Sequence, residues 1–440
     1  MLIKILKNNY KYILIFIFTI VLSLLWTNRF YDSITQYGMA HAVRIGEVLY
    51  KDINTVSTPL YIIICAIPLL IYDNYLVYII TNSIMFTLMY YFADKMIKNN
   101  KLSFFLITLL PLFDIACPSY NLLSKLLIII LIYMEKEKKN NIYIGLILGL
   151  LLLTKHSIGL IVIPLSLLYK RNIKDCLYRI IGILIPVILF VIYLLITNTT
   201  NHFINLCFLG LKEFNNKNNY IDIVLLIMSI FIVIYYIAYL IRHKSEDNPE
   251  IYYGLASISF IIPIIDLNHF SSFFIFFLLF IYTKYTIKLN FNIINISLTV
   301  LFIFMIYKSN LASLKYNSIG SYNHFKIYVS SEKNTSKILD AYNNKYKKSR
   351  MIDTNGMFYD IVTDKKINYY DVPLTGNYGK EGNKKLINML ENKNYYFIHE
   401  EYKDRGVSQF DIEFCEYVIN NSKLVDNIGD YNIYYYEEKA

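Results

Sequence analysis

The chain has 440 residues, of which 56% are hydrophobic and only 17% are charged, and its formal net charge is +10. Soluble domains carry roughly 25% charged residues, so this composition excludes a disordered chain, a collagen, a disulfide scaffold and an ordinary cytosolic enzyme. It predicts a polytopic membrane protein with a soluble part attached. Lys and Arg mostly set topology in such proteins, so the positive charge indicates no nucleic-acid partner.

The first apolar run, residues 12–26, follows Lys4, Lys7 and Lys11, and no small-residue cleavage site comes after it. A secretory signal peptide would need that site. The run is therefore predicted to be a retained helix with its N-terminus in the cytoplasm.

The next apolar run, residues 59–72, has about 14 residues, whereas a span usually needs about 20. If this run lies along the outer surface, the later polar breaks place 14 Lys and Arg residues in the cytoplasm, as the positive-inside rule requires. We therefore predict a juxtamembrane or re-entrant helix here, since a span would turn all 14 outward. These residues are Lys95, Lys98, Lys101, Lys136, Lys138, Lys139, Lys170, Arg171, Lys174, Arg179, Arg242, Lys244, Lys284 and Lys288.

The predicted fold is an α-helical polytopic membrane protein with about eleven transmembrane helices and a C-terminal extracytoplasmic α/β domain. The membrane domain covers residues 1–308, with a first outer loop at 28–74, and the α/β domain covers residues 309–440. The predicted spans are residues 12–28, 75–93, 102–116, 122–134, 142–154, 157–169, 176–196, 220–241, 251–265, 270–282 and 291–307.

The run of residues 142–169 is too long for a single span. As one helix it would measure about 42 Å, against a hydrocarbon core of about 30 Å. A tight hairpin broken at Thr154, Lys155 and His156 is predicted instead, because a central Lys would cost roughly 3 kcal/mol.

Three predicted hairpin tips carry polar residues on the same outer face. Each tip could be only a wet loop, but polar residues that dip into a membrane are a functional hypothesis. The polar residues of these tips include Asp114, Tyr120, Asn121, Thr154, Lys155, His156, Asp266 and His269.

The polar tail reads as mixed α/β from its alternating and helical patterns. It shows no Walker loop, no GxGxxG and no His-rich metal pattern. Strands are predicted at residues 325–329, 351–353, 367–370, 395–399 and 432–436, helices at 336–346, 381–391 and 409–422, and a turn at 376–379.

The first outer loop, which follows the first helix, contains ionisable side chains that could take part in catalysis or binding. Asp32 lies at the predicted membrane–water boundary, where water keeps a carboxylate ionised and able to act as a base. Residues 35–44 are predicted to form an interfacial helix that Gly46 ends. Arg44 and Lys51 could bind a phosphate, or could equally pair with lipid headgroups.

Short motifs in this loop and in the 154–156 hairpin resemble one family. Asp32 is followed by G-E-V-L-Y-K-D at residues 46–52 and by P-L-Y at 59–61, and L-T-K-H-S-I-G stands at 153–159. These segments resemble the first extracytoplasmic loop and a Thr-Lys-Gln-x-x-Gly segment of the GT-C superfamily of membrane glycosyltransferases. The layout is similar to that of the polyprenyl-phosphate-sugar mannosyltransferases and aminoarabinose transferases.

The resemblance implies a glycosyltransferase on the outer face of a bacterial cell membrane. Its donor would be a sugar on a polyprenyl phosphate, and its acceptor a hydroxyl of a glycan, a lipid or a protein. Asp32 maps onto the catalytic base, and transfer would proceed with inversion. Relatives often carry an acidic pair at this point, whereas Ser33 follows Asp32 here, which argues against a two-carboxylate or metal-dependent site. The cofactor is left unknown, with a divalent metal as one possibility.

The substrate-binding candidates come from the first loop and the three tips. Several have plain structural alternatives: Lys155 could snorkel to the interface, His269 could pair with Asp266, Asp52 could only shape the loop, and Asp114 could only cap a helix. Glu47 is expected to face water. The candidates are Arg44, Tyr50, Lys51, Asp52, Asp114, Tyr120, Asn121, Lys155, His156 and His269.

Two other functions compete with glycosyl transfer. A membrane transporter or lipid flippase would usually show internal repeats and polar groups near the membrane midplane. No repeat is visible, and the polar groups gather on one predicted face. The second competing function is that of a structural or assembly protein that acts through its tail.

Overall fold

The computed structural model of the chain is mostly helical and ends in a small mixed sheet. Four of the described helices are long and apolar enough to cross a membrane, which indicates membrane association: Tyr75–Met96, Ile173–Ile196, Ile223–Arg242 and Leu267–Lys284. The structure describes residues 2–26, 31–97, 118–169, 172–210, 221–243, 247–262, 264–285, 318–330, 334–353, 356–367, 379–380, 382–403 and 412–438.

The helices before residue 286 follow the predicted order. They are α1 (Leu2–Trp26), α2 (Tyr31–Arg44), α3 (Leu60–Leu69), α4 (Tyr75–Met96), α5 (Tyr120–Lys136), α6 (Asn141–Thr154), α7 (His156–Tyr169), α8 (Ile173–Ile196), α9 (Thr200–Ile204), α10 (Ile223–Arg242), α11 (Pro249–Ala256) and α12 (Leu267–Lys284). A π-helical turn, Asn205–Leu209, continues α9, and a 3₁₀ turn, Ser257–Ile261, continues α11.

The predicted hairpin at residues 154–156 is present. Thr154 ends α6, Lys155 has extended backbone angles, and His156 begins α7. Helix α3 has ten residues and measures about 15 Å, half the thickness of a hydrocarbon core. The predicted span at residues 251–265 is instead the shorter pair of α11 and its 3₁₀ turn, and the predicted spans at 102–116 and 291–307 lie outside the described residues.

Buried charge and small residues join α5, α6, α7 and α8. Arg179 of α8 is fully buried, and it forms an ion pair with Glu135 of α5 at 2.7 Å while donating to Asn141 Oδ1 at 2.9 Å. Its backbone carbonyl packs so close to Gly145 of α6 that a β-carbon there would overlap it. Arg179, which the sequence assigned to a cytoplasmic break, is thus an internal anchor of the helices.

The tail forms a β-hairpin and a four-stranded sheet. Strands β1 (Ser318–Tyr322) and β2 (Phe325–Ser330) pair antiparallel. The sheet has the order β3-β4-β6-β5, in which β3 and β4 are parallel and the other neighbours antiparallel. The remaining tail elements are α13 (Thr335–Asp340), β3 (Ser349–Ile352), α14 (Gly356–Val362), α15 (Gly382–Asn388), β4 (Asn394–His399), α16 (Ile412–Asn421), β5 (Ser422–Ile428) and β6 (Tyr431–Tyr436).

Most predicted tail elements match these bounds, and three elements were missed. The predicted strands at 325–329, 351–353, 395–399 and 432–436 correspond to β2, β3, β4 and β6. Strands β1 and β5 and helix α14 were not predicted. Residue 367 belongs to no strand, and residues 368–370 and 376–378 lie outside the described residues.

The tail shares one hydrophobic core with the first outer loop. The ring of Tyr37 on α2 lies 5.4 Å from the ring of Phe325 on β2, centroid to centroid. Phe325 in turn lies 5.1 Å from Phe358 on α14, and all three side chains are buried. The tail is therefore packed against α2 rather than tethered beside it.

Candidate functional site

One face of α2 is built from polar residues at helical spacing. Ser33, Tyr37, His41 and Arg44 follow each other at intervals of four, four and three residues, which places them on the same side of the helix. Residues 33–42 are all buried. The helix predicted at residues 35–44 is therefore confirmed as α2, but protein covers its polar face from Ser33 to His41 and leaves only Arg44 exposed.

Asp73, in the segment between α3 and α4, contacts three side chains of this face. Tyr37 donates a hydrogen bond to Asp73 Oδ1 at 3.2 Å, and His41 Nδ1 lies 2.8 Å from Asp73 Oδ2. Arg44 Nη1 lies 3.5 Å from the same carboxylate. Arg44 thus has an internal partner, although its side chain is 37% exposed.

His324, from the turn between β1 and β2, reaches the same carboxylate from the tail. Its Nδ1 lies 3.5 Å from Asp73 Oδ2, and its Nε2 lies 2.9 Å from Asp364 Oδ1. Burial acts to raise the pKa of Asp73, but the hydrogen bond from His41 and the charges of His41, His324 and Arg44 outweigh it and lower the pKa below its usual range. We call His41, Asp73 and His324 the Asp73 cluster; in the described part of the chain these groups could hold a metal ion.

A cavity of about 480 Å³ opens beside the Asp73 cluster. Charged side chains of both signs line it, and Ile71 and Tyr72, which follow α3, form part of its wall. Ile71 is 91% exposed at this wall. The lining includes Arg44, Ile71, Tyr72, Asp73, His324 and Lys326.

Asp32, the predicted base, lies in the first turn of α2. Its side chain is outside the described residues, but the backbone position fixes one relationship. Arg44 is twelve residues further along the same helix, which corresponds to about 18 Å along the axis. One sugar phosphate cannot reach both side chains at its reacting bond.

Three of the predicted residues, Tyr120, Asn121 and Lys155, lie together. Lys155 Nζ donates to Asn121 Oδ1 at 3.0 Å and lies 5.3 Å from the centre of the Tyr120 ring. The ring of Phe260 covers another side at 5.9 Å. We call Lys155, Asn121 and the rings of Tyr120 and Phe260 the Lys155 corner. Asp114, predicted nearby, is outside the described residues.

The residues next to the Lys155 corner add unpaired and positive groups. His156 Nδ1 is buried without a hydrogen-bond partner, and the His156 ring lies 5.6 Å from the ring of Phe208. Lys125 of α5 is fully buried, donates to Ser272 Oγ at 2.9 Å and repels Lys155 electrostatically. This part of the molecule is therefore suited to an anion.

The predicted group of Tyr50, Lys51 and Asp52 forms a tight turn in the first outer loop. Tyr50 is fully buried, has φ of +70° and donates its hydroxyl to Ser57 O at 3.0 Å. Asp52 Oδ2 accepts from Val48 N at 2.8 Å, as the loop-shaping alternative expects, while Lys51 is exposed. Tyr50 and Asp52 thus hold the loop in place.

Glu47 does not face water, contrary to expectation. Its side chain is buried, and neither carboxylate oxygen has a hydrogen-bond partner. Burial, helped by the charge of Asp52, raises the pKa of Glu47 to about 7. The charges of Lys366, Asp360 and Arg350 of the tail also act on the pKa of Glu47.

His269 pairs with Asp266 as the structural alternative expects. The two side chains meet at 2.8 Å between His269 Nδ1 and Asp266 Oδ1, and the same oxygen accepts from the backbone N of His269. This arrangement caps the start of α12 and, together with the charge of His269, keeps the pKa of Asp266 low although burial opposes it.

Sequence reasoning missed the Asp73 cluster. Its members come from three separate segments, residues 41, 73 and 324, and no local spacing connects them. The one available signal was the four-residue step from Tyr37 to His41, which places an aromatic hydroxyl and an imidazole on one helix face.

No family model, no curated protein and no solved structure matches this chain. The likeness to the GT-C superfamily therefore depends on the short motifs quoted above.

Proposed function

We propose that the chain is a membrane glycosyltransferase that moves a sugar from a polyprenyl-phosphate-sugar donor to an acceptor hydroxyl. The observation that carries the proposal is the Lys155 corner. Among the residues that the structure describes, Lys155 contacts an amide oxygen and two aromatic rings but no carboxylate. A cation held in this way, beside the unpartnered His156 Nδ1, is suited to an anionic ligand such as a lipid-linked phosphate.

A continuous layer of contacts supports pairing this corner with the start of α2. Tyr75 donates to Ser33 Oγ at 3.0 Å, and its ring stacks on Tyr78 with 5.6 Å between centroids. Tyr78 donates to Pro118 O at 2.6 Å, three residues before Asn121. Because Arg44 lies at the other end of α2, Lys155 is the better candidate for the donor phosphate.

In the proposed reaction, Asp32 accepts the proton of the acceptor hydroxyl. The hydroxyl oxygen then forms a bond to the anomeric carbon of the sugar, and the bond from that carbon to the phosphate oxygen breaks with inversion. The leaving phosphate keeps the electron pair, and the Lys155 ammonium stabilises its charge.

The proposed orientation is multi-pass, with the N-terminus in the cytoplasm and the tail outside. It predicts that cysteines engineered into the tail react with an impermeant reagent added outside, while cysteines at residues 136–139 do not. The reverse pattern would contradict this orientation and the outer-face location of the reaction.

Lys155→Met tests the function, with Lys95→Met as its matched control. Lys95 also lies over an aromatic ring, 5.4 Å from the centre of the Tyr91 ring. It lies near the C-terminal end of α4, whereas Tyr75 and Tyr78 of the contact layer lie near the start of that helix. Purified protein is assayed with a panel of polyprenyl-phosphate-linked sugars for transfer, and with polyprenyl phosphate alone for binding. We expect Lys155→Met to lower turnover by about 10² or more and to weaken binding, as removal of a charge-stabilising group does.

Lys95→Met should keep wild-type transfer and binding. Equal turnover in the two variants would show that Lys155 does not take part in the reaction. Absence of transfer by the wild-type protein with every donor in the panel would contradict the proposed function itself.

A further inference from the structure

The Asp73 cluster brings three metal-ligating side chains from different parts of the chain into one place. His41 lies on α2, Asp73 lies between α3 and α4, and His324 lies in the β1–β2 turn. Their side chains are 3%, 5% and 14% exposed, in that order. Their ligand atoms all lie within 4.8 Å of one another.

Both ring nitrogens of His324 face oxygen atoms, so the charge of the ring decides what can bind there. Nε2 of His324 faces Asp364 Oδ1 at 2.9 Å, so that nitrogen carries a proton. Nδ1 of the same ring then faces the backbone oxygen of Asp73 at 2.9 Å and the carboxylate Oδ2 at 3.5 Å. A charged ring donates a proton from Nδ1 to these oxygens, whereas a neutral ring presents a lone pair there and attracts a cation placed between Nδ1 and the Asp73 carboxylate.

One of the two distances from Asp73 Oδ2 to a histidine nitrogen matches the spacing of metal ligands. Zinc ligands lie about 2.0–2.1 Å from the metal, so two ligands of a tetrahedron lie about 3.4 Å apart. The separations from Asp73 Oδ2 are 2.8 Å to His41 Nδ1 and 3.5 Å to His324 Nδ1. The second agrees with the tetrahedral value and is too long for a good hydrogen bond, while the first is a hydrogen-bond distance that would lengthen by about 0.6 Å when a metal binds.

Outer partners already orient two of the three ligands. Asp364 holds the far nitrogen of His324, and Tyr37 donates to the other oxygen of Asp73 at 3.2 Å. Protein metal sites use such carboxylate–histidine and hydroxyl–carboxylate contacts to fix the ligand atoms. Asp73 and His324 also line the 480 Å³ cavity, from which a further ligand could reach the three side chains.

We propose that His41 Nδ1, Asp73 Oδ2 and His324 Nδ1 bind a Zn²⁺ ion that joins the first outer loop to the β1–β2 hairpin. Two imidazoles and one carboxylate are a ligand set that zinc accepts, with the fourth place left for water or an anion. Arg44 Nη1, 3.5 Å from Asp73 Oδ2, competes with the metal. Its side chain is 37% exposed, so it can turn into the cavity, where it and Lys326 would face an anion bound to the metal.

Zinc binding by the full chain in detergent tests this site independently of any transferase activity. The purified protein is stripped with a chelator and dialysed against buffered Zn²⁺, and bound metal is measured per chain. We expect one zinc ion per wild-type chain and an affinity loss of at least about tenfold for His41→Ala and for His324→Ala. The control His202→Ala changes an exposed histidine of α9 and should bind zinc as the wild type does.

A second measurement needs no variant. Co²⁺ bound in place of Zn²⁺ should show the strong visible absorption of a tetrahedral site with nitrogen ligands. An octahedral spectrum, no stoichiometric zinc on the wild-type chain, or unchanged zinc affinity in His41→Ala and His324→Ala would each overturn the proposal. In that case His41 and His324 are protonated, and their hydrogen bonds and positive charges hold Asp73 without a metal.

Discussion

Gly38 on α2 lies directly against Met357 on α14, so that a β-carbon at Gly38 would overlap Met357 Sδ and Cγ. The same β-carbon would come within 3.3 Å of Ile361 Cδ1. Both neighbours are fully buried in the core that the tail shares with the first loop. Glycine at this position therefore permits the close approach of the tail to α2.

The first prediction concerns this contact. Gly38→Ala should lower the free energy of unfolding by about 1–3 kcal/mol, because an added methyl group in a packed core forces its neighbours to move. The measurement is thermal or denaturant unfolding in detergent. Met357→Ala in the Gly38→Ala background frees the space. The double variant should therefore lose less free energy of unfolding than the sum of the losses in the two single variants. Wild-type stability in Gly38→Ala would show that α2 and α14 pack less tightly than described.

Local patterns explain which parts of the fold could be predicted. The break at Lys155 followed from length and from the cost of a buried charge, and the bounds of α4, α6 and α7 differ by at most three residues from their predicted spans. Tail strands with alternating residues were found, such as β4. Strand β5 was missed because it follows directly on α16, at Ser422, with no turn residues between them.

The site depends on contacts between distant segments, which a single sequence does not specify. Asp73 receives His41 from 32 residues before it and His324 from 251 residues after it. Glu47 was expected to face water, but its side chain is buried. By contrast, Asn121 and Lys155 were both singled out because each lies at a predicted hairpin tip, and hairpins on one face bring their tips together.

The second prediction is a pH dependence from Glu47. Its pKa is raised from 4.5 to about 7 in the folded protein by burial, by Asp52 and by Asp360, against the lowering effect of Lys366 and Arg350. Between these values the folded state keeps a proton that the unfolded state releases, so this contribution to stability is present below pH 4.5 and is lost as the pH rises to 7.

Glu47→Gln removes the titration and keeps the shape. Its melting temperature should exceed that of the wild type above pH 7, and the difference should shrink toward pH 4.5. Glu400→Gln, at an exposed position, serves as the control and should leave the wild-type profile unchanged. A constant difference between Glu47→Gln and the wild type at every pH would show that Glu47 does not titrate in this range.

The last prediction concerns Asp32, the base of the proposed reaction. A general base must be ionised and within about 3 Å of the hydroxyl that it activates, and it usually contributes about 10²-fold or more to turnover. Asp32→Asn keeps size and hydrogen bonding but removes basicity, so transfer should fall by about that factor while polyprenyl phosphate binding stays intact. Asp52→Asn is the matched comparison, because Asp52 Oδ2 accepts from Val48 N and holds the turn. Asp52→Asn should therefore lower the melting temperature, and its turnover should fall less than that of Asp32→Asn. Both variants are assayed at matched expression with the same donor panel. Normal transfer by Asp32→Asn together with loss of transfer in a folded Asp52→Asn would move the base from the start of α2 to the turn after it.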